Sequence, residues 1–217
     1  MSTVATKERP IIMSGESVRA ILEDRKTQTR RVCKPQPIED QKWDGGWKLV
    51  TAKATTAIEA LRRGMYPETC PYGVPGDRLW VREGWAPFVR GDGGEGWVEL
   101  VRWRADEAEY PVPPEHSADW DRLSGKGYHW RSPIYMPRWA CRLLLEVTEV
   151  RVERVQEIDH VGIQREGVLP ARIAGGELRV LAAKFFRPTW DALNAKRGHD
   201  WETSPWVWVL SFRRLEP

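Results

Sequence analysis

The chain has 217 residues, of which 41% are hydrophobic and 30% charged. This is enough apolar material for a real core and marks the chain as globular, not disordered. Its formal net charge of +3 permits an anionic partner without demanding one, so any such partner must be met by a local patch. No stretch approaches a membrane span and no apolar leader opens the sequence, so a cytoplasmic protein that makes no membrane contact is expected.

Residues 1–9 read as a flexible tail, and residues 10–217 as a single domain. Residues 9–13 predict a first short strand with Pro10 near its start. Val18, Ile21 and Leu22 then fall at helical spacing. Ser14 is placed to cap that helix and Glu16 to sit in its first turn. The helix is expected to end near Asp24 or Arg25, because the threonines beyond favour extended backbone. The stretch Asp24-Arg25-Lys26-Thr27-Gln28-Thr29-Arg30-Arg31 packs four cations, two hydroxyls, one carboxamide and one carboxylate into eight residues. If it is extended, Lys26, Gln28 and Arg30 share one face and Thr27, Thr29 and Arg31 the other. A helix-to-strand junction of this kind can deliver a primary amine and a hydroxyl into one cavity. Cations at a helix C-terminus also simply complement the dipole, and a basic run is often no more than a solvated face.

Trp43-Asp44-Gly45-Gly46-Trp47 reads as a hairpin turn, and residues 57–63 as a short helix stopped by Gly64. A Pro75-Gly76-Asp77 turn opens a strand over 78–83, with Leu79 and Val81 on one face and Arg78, Trp80 and Arg82 on the other. Glu83 and Trp85 follow and are candidates to face the same cavity as the basic stretch. Residues 91–96 predict a flexible hairpin tip leading into a strand over 97–105. Residues 108–127 are rich in Pro, Asp and Ser and read as loop. Residues 128–138 hold aromatic rings and arginines suited to stacking bases in a groove. Residues 140–155 predict a long or bent strand in which Leu143, Leu145 and Val147 alternate, followed by Val150, Val152 and Val155. Its interleaved charges are expected to make one face wet.

Asp159 is an N-cap for a short helix that Gly167 stops, which leaves Glu166 in the last turn. A carboxylate there opposes the helix dipole unless it meets a cation such as Lys26; an exposed glutamate is the plainer alternative. Residues 178–186 and 188–196 read as helical with Gly198 as stop, and Phe185, Trp190 and Leu193 as the apolar stripe. The nearly all-apolar run over 205–215 predicts a central strand covered on both faces.

Cys33, Cys70 and Cys141 are odd in number and far apart, which argues against a disulfide framework. The histidines His116, His129, His160 and His199 show no ligand spacing, so neither a metal nor a cofactor is predicted. Thirteen tryptophans could build a base-stacking surface, although most fit core positions in strands.

Four segments together carry a resemblance. They are the Arg-Lys-Thr-Gln-Thr-Arg-Arg stretch after its helix, Tyr72-Gly73-Val74-Pro75-Gly76-Asp77-Arg78-Leu79-Trp80-Val81-Arg82-Glu83, Met136-Pro137-Arg138-Trp139-Ala140, and Ser204-Pro205-Trp206-Val207-Trp208-Val209. The chain resembles the ASCH superfamily, and within it the larger ASCH-like proteins of phages and prophages. The likeness covers roughly residues 10–35, 74–86, 132–168 and 183–215. It implies an α+β, PUA-like, mostly antiparallel β-barrel with peripheral helices. Residues 38–70, 88–130 and 168–182 would be insertions, and the location would be the bacterial host cytoplasm if the protein is phage-encoded.

One group of that superfamily hydrolyses the acetyl amide of N4-acetylcytidine. By resemblance to its motif, Lys26 corresponds to the lysine, Thr29 to the second threonine and Glu166 to the later glutamate. Asp24 stands where that family has glycine, and the Arg30-Arg31 pair shifts the basic pattern by one. The implied chemistry makes Thr29 the nucleophile, Lys26 its base and Glu166 a proton shuttle. Arg25, Thr27, Arg30, Arg31, Arg82, Glu83, Trp85, Arg138 and Trp139 are the candidate substrate- or nucleic-acid-binding residues. The expected partner is a modified nucleoside or RNA. A PUA-like module that binds RNA without chemistry, an RNA-cleaving ASCH protein, and a phage assembly or host-takeover role with an idle site stand as alternatives.

Overall fold

The computed structural model describes residues 6–51, 55–91, 97–124, 129–170 and 177–216. Its architecture is α+β, with eleven strands among the described residues, most of them paired antiparallel, and several short helices. The central sheet contains β1 (Glu8–Ile12), β2 (Gln28–Val32), β6 (Arg78–Arg82), β10 (Leu144–Arg154) and β11 (Trp206–Leu215), in the order β1-β6-β10-β11-β2. Among the described residues only β1 and β6 run parallel, and their register pairs Glu8 with Arg78. Residues 8 and 9 of the predicted tail therefore belong to the sheet, while residues 1–5 lie outside the described residues. Among the described residues no ladder joins the outer strands β1 and β2, but the Arg31 guanidinium reaches from β2 to the Ile12 carbonyl at 2.5 Å.

Strand β11 explains why its sequence lacks polar alternation. Trp206, Trp208, Leu210 and Phe212 pack into a core that also takes Leu79, Val81, Leu145 and Val152, together with Val18 and Ile21 of helix α1 (Gly15–Leu22). Val207 and Val209 point the other way, into a second core with Ile163, Phe186 and Trp190. A strand covered on both faces has no wet side for polar residues to occupy.

Two smaller sheets lie mostly in the segments read as insertions, the second starting three residues before residue 88. One is β3 (Ile38–Glu39), β4 (Trp47–Val50) and β5 (Thr55–Ala57), followed by α2 (Ile58–Arg62). The predicted Trp43–Trp47 turn falls within the β3–β4 connection. The other is β7 (Trp85–Gly91), β8 (Trp97–Trp103) and β9 (Glu109–Pro111); the Gly-rich tip over 92–96 lies outside the described residues. Residues 108–127, expected to be loop, contain β9 and helix α3 (Ser117–Ser124). Trp120 supplies the physical reason, since it is buried in a third core with Trp85, Trp103 and Met136.

Helix α4 (His160–Arg165) begins at the expected Asp159 cap, whose side chain accepts from the Gly162 amide at 2.6 Å. Helix α5 (Leu178–Leu181), a π turn (Ala182–Phe186) and α6 (Arg187–Asn194) run on as one helical segment. The extra residue in the π turn shifts the phase of the face that follows. Phe186 and Trp190 are consequently the buried pair, and Leu193, predicted to join the stripe, is 55% exposed.

Candidate active site

The site starts with the way α1 ends. Its Ser14 cap accepts from the Ser17 amide at 3.2 Å, and after Leu22 the backbone swings through a left-handed Asp24 (φ 56°). The amides of Arg25 and Lys26 both donate to the Ala20 carbonyl, at 2.8 and 3.0 Å, which folds the chain back under its own helix. Thr27 then donates its amide to the Arg165 carbonyl at 2.8 Å, and Lys26 forms an isolated antiparallel bridge with Glu166. The last turn of α4 thus lies directly against the basic stretch. Gly167 allows this approach. Its φ is +70°, and a Cβ there would come within 2.8 Å of the Lys26 Cβ and 2.9 Å of the Ala20 Cβ.

The result is a buried ionic network. Lys26 Nζ donates to Glu166 Oε2 at 2.6 Å and to the Glu166 carbonyl at 3.0 Å. Arg30 Nη1 donates to Glu166 Oε1 at 3.2 Å and to Gln28 Oε1 at 3.1 Å, while its Nε donates to Glu153 Oε1 at 2.8 Å. The side chains of Lys26, Arg30 and Glu166 are 3%, 1% and 7% exposed. Such charges are tolerable only when paired. Burial, with Arg30 and Arg31 nearby, pushes the Lys26 ammonium below its ordinary value, and Glu166 opposes that shift. Burial alone would raise the Glu166 carboxyl, but Lys26 and Arg30 hold it below the ordinary range. The shared face predicted for Lys26, Gln28 and Arg30 is the face that meets Glu166.

This network forms one wall of a cavity of about 470 Å³. Thr29, Arg30, Arg31 and Lys26 line it together with Glu166, and Phe186 and Trp190 add an apolar wall from the far helix. Tyr72 also faces it, and burial raises that phenol, so the ring remains neutral. Both Lys26 hydrogen bonds go to Glu166, so in this resting arrangement the amine is held by the carboxylate and not by the Thr29 hydroxyl.

No family model, curated protein or solved structure matches the chain.

The other candidates divide by position. Arg25 is half-buried beside the network, where its guanidinium donates to the Gly167 carbonyl at 2.8 Å, and Thr27 is exposed. Arg82, Glu83, Trp85, Arg138 and Trp139 do not line the cavity. Arg82 donates to the Met136 carbonyl and lies over Trp80. Glu83 is buried against Arg142, with bonds of 2.9 and 3.0 Å. Trp85 belongs to the third core, Arg138 pairs with Glu8, and Trp139 stacks on His116. The expectation that Glu83 and Trp85 face the same cavity as the basic stretch is therefore corrected. Glu83 leaves β6 toward Arg142, and Trp85 opens a strand of a different sheet.

Glu153 is the functional neighbour that sequence reasoning missed. It looks like one of the interleaved charges on the wet face of β10, yet it is buried, bound to Arg30 and also to Arg151 at 2.9 Å. Among the described residues no group of three His, Cys, Asp or Glu could hold a metal ion, and no helix is long and apolar enough to cross a membrane. Burial raises the Cys33 and Cys70 thiols, the latter to about 12, so both are poor nucleophiles.

Proposed function

We propose that the chain is a PUA-like protein of ASCH type whose cavity hydrolyses an acyl amide on a nucleobase, with N4-acetylcytidine as the model substrate. The observation that carries this reading is the Lys26–Glu166 pair, 2.6 Å apart, buried, and set in the same cavity wall as the Thr29 hydroxyl. An amide carbonyl needs a nucleophile, a base for it, and an acid for the departing amine. These three groups supply all of them from side chains.

In the proposed sequence, Lys26 first passes a proton to Glu166 across their short hydrogen bond, leaving a neutral amine and a neutral acid. The Thr29 hydroxyl then gives its proton to Lys26 as its oxygen bonds to the acyl carbon, and the tetrahedral oxyanion faces the Lys26 and Arg30 cations. Collapse breaks the C–N bond, and the leaving amine takes the proton held by Glu166. Water, deprotonated by Glu166, hydrolyses the acyl-threonine ester, and Lys26 returns its proton to the Thr29 oxygen. Glu166 then passes its proton back to Lys26 across their hydrogen bond, so that each residue ends as it began. Arg30 keeps Glu166 aligned through its 3.2 Å bond while Glu153 balances the guanidinium charge.

The test is release of acetate and cytidine from N4-acetylcytidine by the wild type and by Lys26→Ala, Thr29→Ala and Glu166→Ala. Turnover that collapses in all three, with an acetyl adduct on Thr29 trapped by mass spectrometry, supports the reading. A folded wild type that turns nothing over, while binding RNA in a salt-dependent way, would replace it with the non-catalytic module.

A further inference from the structure

The charges around the cavity do not balance. Lys26 and Glu166 neutralise each other, and Arg30 is balanced by Glu153. Three further cations line the same cavity: Arg31, Lys34 and Arg197. Among the described residues none of them forms a salt bridge with a carboxylate, although the chain is otherwise dense in such pairs. Arg31 has a buried Nε without a hydrogen-bond partner, and Lys34 and Arg197 stand exposed at the mouth.

These cations come from two parts of the chain. Arg31 lies on β2, Lys34 follows the end of that strand, and Arg197 closes the helical run after α6. Neutral donors accompany them in the lining, namely the Ser17 hydroxyl and the second amide proton of Asn194, whose first goes to the Trp190 carbonyl. An N4-acylated cytidine is neutral and would gain little from three like charges that repel one another. A phosphate presents several acceptor oxygens and negative charge, which suits a planar guanidinium and a mobile ammonium. The cavity volume is within the usual range for small-ligand sites, about 300–1,000 Å³.

We infer that the substrate carries a phosphate beside its nucleobase, and that Arg31, Lys34 and Arg197 form the subsite that holds it. As a statement about a substrate, this rests on the amide-hydrolase reading above. The buried network with Thr29 takes the acylated base, and the mouth takes the phosphate. A mononucleotide and a nucleotide within an RNA chain offer the same chemistry at that mouth.

Two measurements separate this inference from the reading it rests on. The first is calorimetric binding of cytidine and cytidine monophosphate to the intact protein at low and high salt. The monophosphate is expected to bind at least about tenfold more tightly. That advantage should shrink with salt and fall by about tenfold in Lys34→Gln or Arg197→Gln, whose exposed positions leave folding undisturbed. Equal affinity for the two ligands, or no binding of the monophosphate, overturns the inference.

The second is kcat/KM for N4-acetylcytidine, its monophosphate and a short oligoribonucleotide containing it. A phosphate advantage in binding without hydrolysis of any of the three upholds the subsite and refutes the hydrolase. Hydrolysis of the nucleoside without a phosphate advantage does the reverse. Preference for the monophosphate or for the oligoribonucleotide identifies which source of phosphate the mouth accepts, and either one supports the subsite.

Discussion

Replacing Glu166 by Gln tests the buried network most directly. The change keeps the side-chain shape and removes one charge from between Lys26 and Arg30. Arg30 retains Glu153, but Lys26 loses its carboxylate partner and is left with neutral acceptors, the residue-166 carbonyl at 3.0 Å and the carboxamide oxygen. An uncompensated buried charge costs about 3–5 kcal/mol. Lys26 has one escape, which is to lose its proton. From its ordinary value of 10.5, doing so near pH 7 costs about 5 kcal/mol at 1.36 kcal/mol per unit. The expected loss of stability is therefore about 3–5 kcal/mol, or on the order of 10 °C in Tm for a chain of this size.

Urea unfolding followed by tryptophan fluorescence measures it, within a double-mutant cycle that adds Lys26→Met. Removing the orphaned ammonium should restore a good part of the loss, because an apolar group in place of a broken pair carries no unpaired charge. The single variant should also recover as pH rises toward 10.5, since its folded state has already given up the Lys26 proton and the unfolded state has not. A loss below about 1 kcal/mol, or a double variant no more stable than the single one, would refute the argument.

Other outcomes can be stated for the same region and beyond it. Gly167→Ala places a methyl group 2.8 Å from the Lys26 Cβ at a φ of +70°. It should cost about 2–4 kcal/mol by thermal unfolding. The Glu166 carboxyl is held below its ordinary 4.5, so the unfolded chain binds its proton first as pH falls. The stability contributed by this group is complete above 4.5 and is lost as pH drops through the lower folded value, and urea midpoints across acid pH should show a shallower fall in Glu166→Gln. Asp77 is buried and accepts from the Lys7 and Val74 amides at 3.0 and 3.2 Å. Asp77→Ala should cost about 1.5–3 kcal/mol in urea unfolding.

Much of the candidate site could be read in order along the chain. The Ser14 cap, the helix that stops before the basic stretch, and the Asp159 cap with Gly167 beyond it all follow local rules. Glu166 invited a cation because a carboxylate in the last turn of α4 is unfavourable alone, and both Lys26 and Arg30 meet it. Contacts made only in three dimensions were hidden. Glu153 carries no local sign of meeting Arg30, 123 residues earlier in the chain. Arg197 at the cavity mouth depends on a π turn that single-sequence periodicity does not resolve. Helix α3 was obscured because Pro- and Asp-rich composition argues for loop, while the burial of Trp120 that fixes it is tertiary.

Thr148 governs which way β10 presents its carboxylates. The ladder pairs Val147 with Phe212 and then Glu149 with Ser211, so Thr148 is an extra residue with no opposite number. Before it, the odd-numbered Leu145 and Val147 face the first core; after it, the even-numbered Val150 and Val152 do. The insertion reverses the parity of the strand. By that reversal Glu149 reaches the Ser211 hydroxyl at 3.2 Å, and Glu153 reaches Arg30 at 2.8 Å. Were Thr148 instead paired in regular register, the odd positions would continue into the apolar core and the same glutamates would be buried without a cation. One uncharged residue, remote from the cavity in function, sets the polarity of the face on which the ionic network is built.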